Sequence, residues 1–429
     1  MANGMNTGFE GMRRKYDTAV FDKHLLSNGV TVWLQKSPIL TDEEGIIIGF
    51  LPNVGSRTDP WNAHGMAHFL EHMPFCGTKG KPDKDAIYKP LQEWGGWCNA
   101  NTNQHRTAYM VGLPGECFEL AAETLYELIA NPLFDGEAIA IERDVIIEEH
   151  EQYFSSSRNI AARHILKSFF GKYPIGHHPV GEISVLLQIK RGQLLEFHKK
   201  HYHGGNLQII CGGSFSKRKD ALKIIKRYFD VIRGGEKTIL DKMEILPYDD
   251  LWQYVIEDKS CKRDIMEYLW PIPPLSDLSE ITLRFFANAL AGHLNSPLIE
   301  ELRSRRGLVY ESGLCSLRKY PDFCLFSVVF PVDKKHFKTV NDVFYDVMEN
   351  LSSEYLVAQQ RANQIRRMMS FSNPISECKN IIEDITTDGR PYSFREIEDL
   401  KDRIRLEEVY KWRDYIAKTA PFKLFIHGK

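Results

Sequence analysis

One pattern occurs twice in this chain, and it restricts the possible folds more than any other feature. TAYMVGLPGECFELAAETLYELIANPLF begins at Thr107 and CLFSVVFPVDKKHFKTVNDVFYDVMENL begins at Cys324. Each reads as a strand of alternating apolar residues, a turn containing proline, and a helix with one apolar stripe. Pro331 follows Pro114 by 217 residues. With two extra residues allowed in the second turn, Phe118 aligns with Phe337, Leu125 with Phe344 and Leu128 with Val347. A strand–helix unit that recurs after about half the chain marks an internal duplication, so two related domains are expected. The first should close with the buried strand NLQIICGGSF from Asn206 and the helix KDALKIIKRYFDVI from Lys219. RGGEKTILDK, polar and carrying Gly234 and Gly235, then has the composition of a linker. The expected organisation is an N-terminal domain over 17–233, a linker over 234–245 and a C-terminal domain over 246–429. Strands and helices mix without steady β–α alternation, which predicts α+β domains, each a mostly antiparallel mixed sheet flanked by helices.

Composition removes several function classes. Lys and Arg number 55 against 57 Asp and Glu, so a net charge of -2 provides no global field for nucleic acid or an anionic membrane. The only basic run of note, Lys217 to Lys219, sits in a strand-to-helix connection and reads as a solvated turn. The longest apolar stretch, IIIGFL over 46–51, is far below the roughly 20 residues needed to span a bilayer. MANGMNTGFEGMRRKYD contains no apolar stretch of the signal-peptide kind, and Glu10 and Asp17 disfavour a transit peptide. Cys76, Cys98, Cys117, Cys211, Cys261, Cys315, Cys324 and Cys378 form no C-x-x-C pair, which predicts reduced, core-packed thiols and a cytoplasmic location. No glycine-rich phosphate loop is present.

The segment HGMAHFLEHMPFCGT carries the chemistry. It places His68, Glu71 and His72 in the order H-x-x-E-H, so on a helix the two imidazoles share a face and Glu71 lies beside them. Two such imidazoles can grip one zinc ion, and a carboxylate next to the ion can take a proton from water. A random chain of this composition would show the pattern roughly 0.07 times, so it needs support from elsewhere. A catalytic zinc site normally has three protein ligands and an open position. EAIAIERDVIIEEHEQY offers the third donor, with Ile139, Val145 and Ile146 at helical spacing and Glu142 and Glu149 seven apart on another face. Glu148 and Glu151 are further acids there, and spacing alone does not choose among the four. His64, two turns from His72, is expected to be partly exposed and non-ligating.

H-x-x-E-H is the inverzincin order, and the wider pattern resembles the pitrilysin, insulysin and mitochondrial processing peptidase family. HGMAHFLEHMPFCGT is similar to that family's motif helix, GGWCNANTNQHRTAY to its G-G-x-x-N-A-x-T strand, and ERDVIIEEHE to its paired glutamates. YPIGHHPVGEISVL and SPLIEELRSRRGLVY match further family segments, so the resemblance covers nearly the whole chain from about residue 17.

The resemblance implies one zinc ion per chain held by His68, His72 and Glu149, the last lying 77 residues beyond His72 as the family's spacing requires. It also implies Glu71 as general base and Glu142 as a supporting carboxylate. The substrate would lie extended along Asn99, Ala100, Asn101 and Thr102, with Arg303 and Tyr310 contacting its backbone. Arg305 and Arg306 read instead as cations suited to a helix C-terminus stopped by Gly307. The implied activity is a zinc endopeptidase acting on unfolded peptides inside a chamber of paired subunits, either a homodimer or a heterodimer with a related chain. A dedicated precursor-processing protease, or a non-catalytic subunit, is the alternative. Asn101 and His105 depart from the bulky and acidic residues usual in the family, pointing to an unusual side-chain preference, and Cys76 stands where a lysine is common.

Overall fold

A computed structural model of the chain describes residues 20–36, 44–171, 173–241, 243, 253–310, 314–370 and 374–428. The expected domain starts at 17 and 246, and the linker residues 242, 244 and 245, lie outside the described residues. The chain divides into two compact units. Unit 1 comprises residues 1–151, 170–241 and 368–394, and unit 2 comprises 152–169, 242–367 and 395–429.

Unit 1 is built on a six-stranded sheet of β1 (Val20–Leu25), β2 (Thr31–Lys36), β3 (Glu44–Pro52), β4 (Trp97–Thr102), β5 (Arg106–Pro114) and β6 (Gln208–Gly213), in the order β1-β2-β6-β3-β5-β4. Every pairing is antiparallel except β2 with β6. Its helices include α1 (Met66–His72), α2 (Lys84–Gln92), α3 (Phe118–Ala130) and α4 (Gly136–Tyr153). Unit 2 carries β7 (Gln253–Glu257), β8 (Ile265–Ile272), β9 (Cys315–Lys319), β10 (Cys324–Pro331) and β11 (Phe422–His427), in the order β7-β11-β8-β10-β9, with only β7 and β11 parallel. Around it lie α5 (Ser157–Phe170), α6 (Asp277–Ala291) and α7 (Phe337–Glu349). Apart from the extra β1, the two sheets share one strand order and one pattern of directions. The duplicated motif occupies equivalent places: β5 and β10 end on the aligned prolines, and α3 and α7, each of 13 residues, begin on the aligned phenylalanines.

Two segments cross the expected boundary, and the sheets explain one of them directly. Residues alternate across β3, β5 and β6, so Ile47, Leu51, Tyr109, Val111, Ile209 and Cys211 pack toward α1 and α3. Trp33, Ile46, Ile48, Phe50, Met110 and Ile210 form a second apolar face on the other side. A sheet that is apolar on both faces needs cover on both. For unit 1 the second cover is α8 (Pro374–Asp388), from the C-terminal half of the chain, through Cys378, Ile381, Ile382 and Ile385. The Gln35 amide donates to Glu377 at 2.6 Å and ties the helix down. In unit 2 the reciprocal segment is α5, whose Phe169 packs edge-on against Phe422 of β11. Contiguous halves were expected because the repeat marks one face of each sheet and is silent about the other.

Unit 2 also buries a carboxyl in its sheet. Glu267 on β8 is 1% exposed, and burial raises its pKa from 4.5 to about 7, against the pull of Arg318 and Arg158. A raised acid holds its proton more tightly in the folded state, so its contribution is full below 4.5 and is lost as pH climbs to about 7. The loss is about 3 kcal/mol. Denaturation midpoints between pH 4.5 and 7.5 should therefore show a fall that Glu267→Gln flattens, and an unchanged slope in that variant would exclude the assignment.

Candidate metal centre

Helix α1 is short and is held from outside itself. Met66, Ala67, Phe69 and Leu70 are fully buried in the unit 1 core, leaving His68, Glu71 and His72 to the side facing α4 and β4. At its N-terminus Gly65 has φ 89°, and a Cβ there would meet the Gly181 Cα at 2.9 Å, so only glycine fits. Asp59 supplies the cap, its two carboxylate oxygens accepting the Gly65 and Ala67 N–H groups at 2.8 Å each. Burial pushes the Asp59 carboxyl up to about 8 against the opposing pull of these N–H groups and that of Met66.

Helix α4 starts on Asp135, which accepts the N–H groups of Glu137 and Ala138. It buries Ile139 and Ile146 with Glu142, while Val145, expected on that apolar stripe, is 42% exposed because its position turns toward solvent. Glu148 and Glu151 are exposed, whereas Glu149 faces α1. The helical period separates the four acids that sequence spacing left open.

His68 Nε2 and His72 Nε2 lie 3.3 Å apart, and the Glu149 carboxylate oxygen Oε2 is 3.6 Å from the first and 3.4 Å from the second. Among the described residues these three form the only cluster of metal-ligating side chains so arranged. Ligands about 2.0–2.1 Å from a tetrahedral zinc ion sit about 3.3–3.4 Å from one another, so this triangle has the size of one face of a zinc site. His72 Nδ1 lies 3.0 Å from Glu142 Oε1, so once the ring gives up its Nε2 proton it keeps the one on Nδ1 and turns the Nε2 lone pair toward the triangle. Two ring nitrogens and a carboxylate oxygen at these separations repel unless a cation or a shared proton lies among them.

The charges respond accordingly. Burial lowers His68 to about 4, assisted by His72, so its imidazole is neutral near pH 7. Burial also opposes charge on His72, but its bonds to Glu142 and Glu149 outweigh it and hold the ring up at about 9. The His72 bond likewise keeps Glu149 below its ordinary range. Burial would raise Glu142, yet its bonds from His72 and Cys76 and the charge of Lys84 bring it down to about 2. Glu71 stands apart: desolvation lifts it from 4.5 to about 7 despite a bond from Thr102. Its Oε2 is buried without a hydrogen-bond partner among the described residues.

The remaining sequence candidates fall into groups. Asn99, Ala100, Asn101 and Thr102 lie on β4, the outer strand of the sheet, with Asn99 and Asn101 exposed. The Asn101 side chain accepts from Arg106 at 2.7 Å. His105, expected near substrate, is instead 4% exposed, because the Asn103 side chain accepts the His105 and Arg106 N–H groups and turns the chain inward. His64, expected to be partly exposed, is 6% exposed and stacks on His177 at 3.3 Å between ring centroids. Arg303 and Tyr310 lie in unit 2, where the guanidinium sits 4.9 Å from the ring centroid and Tyr310 is 75% exposed. Arg303 sits within a π-helical segment, Glu300–Arg305, a distortion that recurs at functional sites; Gly307 stops it with φ 64°, and Tyr310 follows. Arg305 and Arg306 pair with Glu300 and Glu301 rather than with helix-end carbonyls. Asp59 and Lys84 were not singled out from sequence. Asp59 precedes Pro60 shortly before the helix, a readable cap signal, whereas only the fold brings Lys84 to the site.

In unit 2, the helix that follows β8 is α6, whose buried positions hold Leu283, Phe285, Phe286, Ala287, Ala289, Leu290 and Ala291. The duplicated half thus fills with core what unit 1 spends on metal ligands.

A duplicated α+β fold in which one copy presents two histidines and a glutamate defines a class of two-domain metallopeptidase-like chains. The family described as Insulinase (Peptidase family M16) matches residues 45–181, and the one described as Peptidase M16 inactive domain matches residues 188–369. The chain belongs to the M16, insulinase and pitrilysin-like, family. It is 24% identical over 394 residues to an uncharacterized zinc protease of Rickettsia felis, covering 91% of this chain and 93% of the relative. It is 21% identical over 420 residues to the mitochondrial-processing peptidase subunit beta of Saccharomyces cerevisiae, covering 94% and 90%. Among solved structures, a protease from Helicobacter pylori has a TM-score of 0.83 at 15% identity over 96% of this chain and all of the other. The first half of the periplasmic protease PqqL from Escherichia coli has a TM-score of 0.74 at 17% identity, covering 96% and 92%. Among the described residues no helix is long and apolar enough to cross a membrane.

Proposed function

We propose that this chain is a zinc-dependent endopeptidase that cleaves extended, unfolded peptides, with His68, His72 and Glu149 holding the ion. The observation that carries the reading is the triangle of ligand atoms with edges of 3.3 to 3.6 Å, next to a carboxyl, Glu71, poised near neutrality. Zinc, when bound, would supply a Lewis acid that polarises the scissile carbonyl and makes water acidic enough to attack. The protein's residues do the rest. Glu71 accepts the proton of the attacking water and passes it to the departing amine, which a carboxyl with a pKa of about 7 can do in both directions. Thr102 on β4 favours the ionised form of Glu71, and Glu142 keeps the His72 ring aimed at the ligand triangle. β4 is an outer strand, so a peptide can add to it through main-chain hydrogen bonds with little sequence demand. Asn99 accepts the Ala100 N–H at 2.8 Å, a donor for which the incoming strand would compete. Arg303 and Tyr310 supply a cationic and aromatic pair for the peptide backbone, and paired subunits, identical or related, would enclose it.

The test is mass-spectrometric profiling of cleavage products from a proteome-derived peptide library, with and without a chelator. Chelator-sensitive cuts at many unrelated sequences are expected. A single restricted cleavage motif would favour a dedicated precursor-processing enzyme, and no cuts by zinc-loaded protein would overturn the reading.

A further inference from the structure

The oxygen of Glu142 that does not touch His72 is itself held twice. Cys76, four residues beyond His72, places Sγ 3.3 Å from Glu142 Oε2, and Lys84, the first residue of α2, brings Nζ within 3.4 Å of the same atom. The Cys76 thiol also has the His72 carbonyl oxygen at 4.0 Å, but the carboxylate is both nearer and charged, so it takes the S–H. Burial and the neighbouring carboxylate push the Cys76 thiol up to about 12, which keeps it a neutral donor near pH 7. Glu142 is nearly enclosed, with 9% of its side chain exposed, while Lys84 is 58% exposed and closes the pocket from the solvent side.

We infer that Cys76 and Lys84 are positioning residues for the metal centre, clamping Glu142 Oε2 so that Oε1 stays on His72 Nδ1 and the His72 Nε2 lone pair stays fixed on the ligand triangle. A carboxylate with one oxygen bound can swing about its Cβ–Cγ and Cγ–Cδ bonds. With both oxygens bound its plane is set, and with it the imidazole's. The Sγ–Oε2 contact gives Cys76 a role beyond core packing. The enclosed S–H should contribute more than the exposed ammonium, whose interaction water and salt screen.

The inference rests on the zinc reading, and the experiment separates the two. Zinc dissociation constants would be measured by chelator competition, and cobalt(II) absorption bands recorded, for the wild-type protein and for Cys76→Ala, Cys76→Ser, Lys84→Met and Lys84→Arg. Outer-sphere partners typically change metal affinity about 10- to 100-fold. Cys76→Ala is expected to weaken zinc about 10-fold and Lys84→Met roughly 3-fold, with shifted cobalt bands. Cys76→Ser and Lys84→Arg, which retain a donor, should restore near wild-type values. In a Glu142→Gln background both effects should shrink toward none, a result that general destabilisation would not give. A wild-type protein that binds no zinc would defeat the metal reading itself. Wild-type affinity in both Cys76→Ala and Lys84→Met, or equal losses with and without Glu142, would overturn the positioning role alone.

Discussion

Glu71→Gln should bind zinc at the wild-type stoichiometry and lose peptide cleavage by on the order of 10³-fold, the scale of general acid–base catalysis. The substitution is nearly isosteric and leaves His68, His72 and Glu149 in place, so the change is confined to a side chain that can no longer accept a proton. The pH dependence has a definite sign. Glu71 works as a base only when ionised, and burial raises its carboxyl to about 7. A nearby cation would favour the carboxylate, so kcat/KM should rise with pH through an acid limb at or below about 7 and flatten above it. Full activity in the glutamine variant, with zinc bound, would remove Glu71 from the mechanism.

How much of this could be read from residues alone differs from one feature to the next. Periodicity exposes α3 and α7 because each buries a single stripe, and a stripe is a local property of sequence. It does not expose the exchange of α5 and α8. For α8 the signal is the second apolar face of the unit 1 sheet, visible in Trp33, Ile46, Ile48 and Phe50, and nothing local says which helix will cover it. The H-x-x-E-H triplet is legible because one helical turn brings its members together. Glu149 is harder, since Glu142, Glu148, Glu149 and Glu151 share a helix and only the direction of α4 relative to α1 separates them. His64 and His105 illustrate the opposite error, polar residues expected near solvent or substrate that lie buried in turns. Cys76 and Lys84 meet Glu142 from different elements, and no spacing rule connects them.

Glu149→Ala should abolish stoichiometric zinc binding, and Glu148→Ala should leave it unchanged. Removing a direct ligand takes away one corner of the triangle and its negative charge, so the loss in affinity should exceed the ~100-fold upper range of outer-sphere effects. Glu148 is exposed and outside the cluster, and it serves as a matched control one residue away on the same helix. Proton release measures the same site independently. Without metal, His72 is held as an imidazolium up to about 9 by Glu142 and Glu149, while burial keeps His68 neutral down to about 4. Zinc requires neutral imidazole, so binding at pH 7 should release the His72 proton and part of the one Glu71 holds, and affinity should fall about tenfold per pH unit from 9 toward 7 and more steeply below, where Glu71 also protonates. Calorimetry in buffers of different ionisation enthalpy counts the released protons directly. Zinc uptake without proton release would show that His72 is not a ligand. Loss of metal in Glu148→Ala together with retention in Glu149→Ala would show that α4 presents a different face, because residues one apart on a helix point about 100° away from each other.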